Sequence, residues 1–259
     1  MRLQRFVLLV FCGVMVGSGL ATGQENWPQF RGVAAGVVPD DPNLPETWSE
    51  TDNVVWATDI PGLSWSSPVI TGDHVFVTAA ISAGDEPVPI KGLYDPGMEN
   101  GSEGSDNEHR WMLYDLSFQT GQIRWQRELH SAPPPMKRHL KNSFASETPV
   151  TDGRRVYVYF GSIGLLGAFN LSGETVWTQE IDVYNTTLEM GTAASPILHG
   201  DRVYIVNDNT TRSFVAAYDK DNGDELWRVD RDERGQNWST PFVWENEFRT
   251  ELVTAGTQG

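Results

Sequence analysis

Two stretches of the chain are apolar at every position, and they set the first constraint on its fold. Val156-Tyr157-Val158-Tyr159-Phe160 and Val203-Tyr204-Ile205-Val206 carry apolar or aromatic side chains at both odd and even positions. A strand with one wet face alternates apolar and polar residues, because successive side chains point to opposite faces. These strands therefore predict sheets covered on both sides. Each has similar neighbours along the chain. A proline-led segment precedes it, at Pro149 and Pro196, as at Pro68 and Pro241; proline suits the first residue of a strand. A glycine hairpin turn follows, at Gly72, Gly153 or Gly200, and then the doubly apolar strand. A third strand ends in Leu113-Tyr114-Asp115, Ala168-Phe169-Asn170 or Ala217-Tyr218-Asp219. A polar turn holding Gly121, Gly173 or Gly223 leads to a fourth strand marked by Trp125, Trp177 or Trp227.

The spacing of these units selects the architecture. The three tryptophans are separated by 52 and 50 residues, and the prolines by 81, 47 and 45, so the first unit holds an insertion, from about Ile81 to Arg110. A period in the forties to fifties points to propeller blades. Four-stranded antiparallel sheets stacked face to face around an axis are covered on both sides. A β-sandwich also covers its sheets but does not require a fixed period. On this reading the Asp or Asn with its glycine makes the turn between third and fourth strands, and the tryptophan on the outer strand fills the gap between neighbouring blades. Trp56 lies on a segment like the fourth strands with no earlier strands before it, and the fourth repeat reaches only its second strand by Gly259. The expectation is an all-β propeller seen as an incomplete arc of about three and a half blades, at about 65–129, 146–182, 194–231 and 239–259, within a propeller region of 53–259. An eight-bladed ring at this period needs roughly 200 further residues. Open edges at such an arc invite strand addition by other chains.

Residues 1–23 stand apart. Arg2 and Arg5 precede an apolar run from Phe6 to Val16, and Ala21-Thr22-Gly23 supplies small residues for cleavage, the pattern of a secretory leader. Residues 24–52 form an N-terminal extension ahead of the repeats. Cys12, the single cysteine, lies in the leader, so the mature chain has no disulfide framework and depends on its core. Removing Arg2 and Arg5 from the 19 basic residues leaves 17 against 35 acidic ones, a balance that excludes nucleic acid and anionic membrane surfaces as main partners. Export to the periplasm or the extracellular space is expected.

Few residues suggest chemistry. The insertion is rich in carboxylates, but their spacing fits no EF-hand loop. His109, His130 and His139 lack the short-range spacing of zinc ligands. The segment His130 to Thr148 concentrates positive charge in an acidic chain. It offers His130, Arg138, His139, Lys141, Asn142 and Glu147 as an anion- or ligand-binding loop, with an inter-blade connector as the alternative. No catalytic constellation and no metal site is visible.

The repeats ending in Ala168 to Trp177 and Ala217 to Trp227 resemble the pyrroloquinoline-quinone-type (PQQ-like) repeats of quinoprotein dehydrogenases and of the outer-membrane assembly lipoprotein B. The segments His139 to Gly161, Gly191 to Phe214 and Trp238 to Thr257, with the mature start Asn26 to Gly32, are similar to exported bacterial PQQ-like propeller proteins. The resemblance implies a binding or assembly scaffold with a protein partner or small ligand and no cofactor. The alternative it implies is part of a PQQ-dependent oxidoreductase, which would bring the quinone and calcium. Quinoproteins typically set a calcium ion, a catalytic Asp and often adjacent cysteines around the cofactor; the mature chain has no cysteine, and no Asp matches the catalytic one.

Overall fold

The computed structural model describes residues 26–34, 36–86, 102–183, 189–231 and 235–256. The leader with its cleavage site, and residues 87–101 of the insertion, lie outside the described residues. The first blade orders β1 (Val69–Thr71), β2 (His74–Ser82), β4 (His109–Ser117) and β5 (Ile123–Ala132) as an antiparallel sheet. The second is built from β7 (Val150–Thr151), β8 (Arg155–Phe160), β9 (Leu165–Asn170) and β10 (Thr175–Glu180). The third is built from β11 (Ile197–His199), β12 (Arg202–Asn207), β13 (Phe214–Asp219) and β14 (Glu225–Asp230). A two-stranded sheet of β15 (Phe242–Glu245) and β16 (Thr250–Val253) follows, so the described residues form the open arc that strand counting predicts. The insertion adds β3 (Ser102–Glu103), paired with β6 (Arg138–His139) in the connector to blade two. The first strands β1, β7 and β11 neighbour one another across blades and line the axis, while the tryptophan strands lie outermost.

The doubly apolar strands are explained by their two faces. Val156, Val158 and Phe160 pack on Val69, Phe76 and Leu113 of blade one. Tyr157 and Tyr159, at the other parity, pack with Val203, Ile205 and Phe214 of blade three. One strand therefore serves two cores.

The tryptophans are the outer fastening between blades, and one device aims all of them. The register of each outer strand slips by one residue just before its tryptophan, so that Arg124, Val176 and Leu226 are unpaired bulge residues. A bulge bends the strand and re-aims its side chain. It expels Val176 and Leu226 towards solvent and turns Trp125 and Trp177 onto the next blade. Each ring then lies on a glycine held at positive φ. A Cβ on Gly173 would stand 3.0 Å from the Trp125 ring, and one on Gly223 would stand 2.6 Å from Trp177. Each indole N–H also donates to a carbonyl of the same turn, Trp125 to Leu171 and Trp177 to Lys220, both at 2.9 Å. Trp56 joins the series from the N-terminal side. It covers Gly121 and donates to the Phe118 carbonyl at 2.8 Å, although its segment pairs with no sheet. Trp177 is buried, whereas Trp56, Trp125 and Trp227 keep a partly exposed edge. Trp227 packs on Tyr204 of its own blade at 6.0 Å, and no glycine turn covers it among the described residues.

One turn departs from the sequence scheme. Asn170 and Asp219 cap their turns, accepting the amides of Ser172 and Asp221. The equivalent place in blade one belongs to Ser117, not to Asp115. The Gly121 amide donates to the Ser117 carbonyl at 2.8 Å, as Gly223 does to Asp219. Asp115 is buried two residues earlier and lies 2.8 Å from His74 Nδ1.

The inner fastening is a belt of hydroxyls beside the axis, and it accounts for the residue before each proline. The Ser67 amide donates to Thr148 Oγ1 at 2.9 Å, the Thr148 amide to Ser195 Oγ at 2.9 Å, and the Ser195 amide to Thr240 Oγ1 at 3.0 Å. Each bond crosses from one repeat to the next.

Removing Trp177 should cost ~3–5 kcal/mol, as for other large buried aromatics. Gly223→Ala should cost at least ~1 kcal/mol, from positive φ alone. Because the new Cβ would strike the Trp177 ring, the two changes should cost less together than their sum. Equilibrium urea unfolding reads all three variants; strict additivity would show that the indole does not rest on this turn.

Candidate functional site

The connector between blades one and two divides into an anchoring half and an axial half. Arg138 is only 3% exposed, donates to the Asn142 carbonyl at 2.8 Å, and lies 3.5 Å from Glu86 in the insertion. Glu86 also lies 2.8 Å from Nε2 of His109, whose Nδ1 faces the Asn107 carbonyl at 2.8 Å. Burial raises the Glu86 carboxyl, but His109 and Arg138 together hold it below the usual carboxylate range. With the β3–β6 pairing, these contacts tie the insertion to the connector. His139 sits on β6 and its Nδ1 accepts the Lys141 amide at 3.0 Å. His130 lies on outer strand β5, packed against Trp111, away from the axial strands.

Lys141 and Asn142 turn towards the axis. They wall a cavity of about 520 Å³ with Arg31, Trp65, Trp238 and the belt residues Ser195 and Thr240. Asn142 is committed to structure: its Nδ2 donates to the carbonyls of Met190 and Thr192, at 2.8 and 3.2 Å, and its Oδ1 accepts from Ser146. Trp238 donates to the Gly191 carbonyl at 2.8 Å, clamping the same segment from the other side. Trp65 stands at the wall with about half its surface exposed. Arg31 and Lys141 make no ion pair with a carboxylate among the described residues.

Arg31 arrives from an unexpected place. The segment from Asn26, an extension by sequence, runs along the inner edges of the blades. Trp27 exchanges backbone bonds with Ile70 of β1 at 2.9 and 2.8 Å, and the Pro28 carbonyl accepts the Thr151 amide of β7 at 2.8 Å. Gly32 then packs on the Trp27 ring. Arg31 itself adopts φ 62°, and its guanidinium lies 5.3 Å from the centre of the Phe30 ring. Arg31, Trp65 and Trp238 were not legible as site residues. The nearest signal was the distinctive Asn26 to Gly32 stretch, which no repeat explains.

Glu147 is buried beside this cavity, against a smaller one that shares Ala193 and Trp238 with it. Its Oε1 accepts the Gly161 amide at 3.2 Å, and its Oε2 has no hydrogen-bond partner. Burial pushes the carboxyl up to about 7, against the opposing pull of Thr192 and nearby amides. The folded chain therefore holds this proton more tightly than the unfolded chain does. The resulting stability is fully present below the ordinary value of 4.5 and is lost as pH rises through about 7. Glu147→Gln, which cannot ionise, should be neutral near pH 4 and stabilising near pH 8, by ~3 kcal/mol at most. Thermal unfolding of both proteins across that range checks the sign; a variant less stable at pH 8 would contradict it.

Among the described residues no three His, Cys, Asp or Glu side chains converge to hold a metal ion. No helix among them is long and apolar enough to cross a membrane.

Comparison with known proteins bears on the family. A comparison with curated proteins returned no match. Among solved structures, quinohemoprotein alcohol dehydrogenase from Comamonas testosteroni aligns at 17% identity and a TM-score of 0.39, over 66% of this chain. The ADHIIG enzyme of the same type from Pseudomonas putida HK5 aligns at 17% and 0.40, over 67%. BamB from Moraxella catarrhalis aligns at 15% and 0.37, over 68%. The chain spans 21% of the length of each dehydrogenase and 54% of that BamB. The family described as outer membrane protein assembly factor BamB matches residues 37–230, which hold all three complete blades. With blades of that pattern across most of its length, the chain belongs to the BamB-type family of PQQ-like β-propellers.

Proposed function

We propose that this chain is an exported binding and assembly scaffold that performs no turnover. The observation that supports it is the contrast between its interior and its axis. Buried ionisable groups such as Asp115, His109 and Arg138 are held in structural pairs. The axial cavity instead presents cations and indoles on an arc of mutually fastened blades, the arrangement of a site that binds. That the family is one of assembly factors supports a protein partner, and the acidity of the chain disfavours nucleic acid.

Two measurements test this reading. A titration with pyrroloquinoline quinone and calcium, followed by a dye-linked dehydrogenase assay on primary alcohols, should show neither binding nor turnover. Quinone-dependent turnover would establish the oxidoreductase alternative instead. For export, the N-terminus of protein recovered outside the cytoplasm should lie near Gln24, and material still beginning at Met1 would refute the leader.

A further inference from the structure

The turn beneath Trp177 carries a chemistry that its counterparts lack. The outer turn glycines Gly121, Gly173 and Gly223 follow Thr120, Ser172 and Asn222. Asparagine is a labile residue, and most so before glycine, whose amide nitrogen has no side chain beside it. That nitrogen can attack the asparagine carboxamide. An N–Cγ bond forms, the Cγ–Nδ2 bond breaks, and ammonia leaves carrying the proton of the glycine amide. Water then opens the cyclic imide to aspartate or to isoaspartate, in which the Cβ has entered the main chain. Water is the only co-reactant. Thr120 and Ser172 have no carboxamide and cannot follow this route.

The folded turn holds the reacting groups in other bonds. The Gly223 amide donates to the Asp219 carbonyl at 2.8 Å. Asn222 Oδ1 accepts the Asp224 amide at 2.9 Å, and Asn222 Nδ2 donates to Asp224 Oδ2 at 2.9 Å. The Asn222 amide donates to Asp219 Oδ1 at 3.2 Å. The Trp177 ring covers Gly223 so closely that a Cβ there would stand 2.6 Å from it, and its N–H holds the Lys220 carbonyl of the same turn at 2.9 Å. Asn222 is exposed, so water reaches it, and its protection comes from constraint rather than burial. Ring closure requires the Gly223 nitrogen to leave the Asp219 carbonyl and to move beneath the indole.

We propose that Asn222 is a spontaneous deamidation site gated by the fastening between blades two and three. It reacts when the Trp177 contact opens, and its product keeps that contact from re-forming as it was. Where closing is faster than reaction, the rate follows the population of the open form. Isoaspartate lengthens the main chain within the turn and shifts Gly223 from beneath the ring. Either product replaces the donor to Asp224 with a carboxylate, in a turn that already holds Asp219, Asp221 and Asp224. Transient openings of this one interface are thereby converted into a lasting loss.

The experiment incubates the full chain in mildly alkaline buffer, with and without unfolding urea, and follows the Asn222 peptide by mass spectrometry and isoaspartyl methylation. Asn100-Gly101, the same dipeptide outside the described residues, serves as the reference in urea. Both should convert at similar rates there, and Asn222 should convert about tenfold or more slowly in native buffer. Trp177→Phe, which keeps an apolar ring and loses the N–H, should speed native conversion several-fold. Asn222→Ser, the residue of the blade-two turn, should abolish it. Converted chains, once refolded, should unfold at lower urea than Asn222→Ser protein treated alike. If Trp177→Phe does not fold, the natural chain is followed in rising urea below its unfolding transition, where the rate should climb. No conversion of Asn222 in urea overturns the site. Equal rates in native buffer and urea, or a rate unmoved by Trp177→Phe or by sub-transition urea, overturn the gate. An unchanged unfolding midpoint in converted chains overturns the lasting effect.

Discussion

The stacking of a tryptophan on a glycine turn is the contact on which the arrangement of blades depends. It needs three things together: a bulge that rotates the side chain out of its own sheet, a turn with no Cβ where the ring arrives, and a carbonyl in reach of the indole N–H. Trp125 on Gly173 and Trp177 on Gly223 satisfy all three. Trp56 on Gly121 reproduces the ring contact and the hydrogen bond from a segment that pairs with no sheet. A buried polar N–H is costly unless paired, so the hydrogen bond fixes where the ring sits as well as helping to hold it. The glycines are thus required twice, for the backbone conformation of the turn and for the neighbour's ring.

The outer fastening would leave the blades free to splay at the axis. The hydroxyl belt closes that end, with one bond for each crossing between repeats, and the segment from Trp27 to Pro28 spans β1 and β7 from inside. The axial cavity lies against this belt, so its walls come from the most constrained part of the molecule. A site on rigid elements loses less entropy on binding than one on loose loops. Lys141 stands in a connector, but that connector is held on one side by the Arg138–Glu86 pair and on the other by Asn142.

Much of the fold was legible because its rules are local and repeated. The spacing of Trp125, Trp177 and Trp227, the glycines ahead of them and the doubly apolar strands each state a property of one blade, and together they imply the stack. The turn of blade one was harder. Asp115 matches Asn170 and Asp219 in the sequence scheme, yet the third strand runs two residues further, to Ser117, and the turn amide of Gln119 is accepted by Asp73 from the neighbouring hairpin. The site was least legible. Arg31, Trp65, Lys141 and Trp238 come from four separated parts of the chain, and no periodicity links them. The charge cluster from His130 to Lys141 was visible, but not that Arg138 would be drawn into a buried pair while Lys141 stayed free. That division depends on Glu86, brought near only by the folded insertion.

The belt also has a direction. Every crossing runs the same way, from a backbone amide of one repeat to a side-chain hydroxyl of the next, so the two flanks of a blade are chemically different. The tryptophan contact has the same polarity, with an indole on one flank and a glycine on the other. A stretch of the gene that encodes one unit, copied in tandem, would therefore yield a blade able to meet both of its neighbours without any compensating change. The same stretch inserted out of frame with the unit boundary would meet neither. Lineages built on such two-sided modules can alter blade number in single steps, while every interface stays under the same selection.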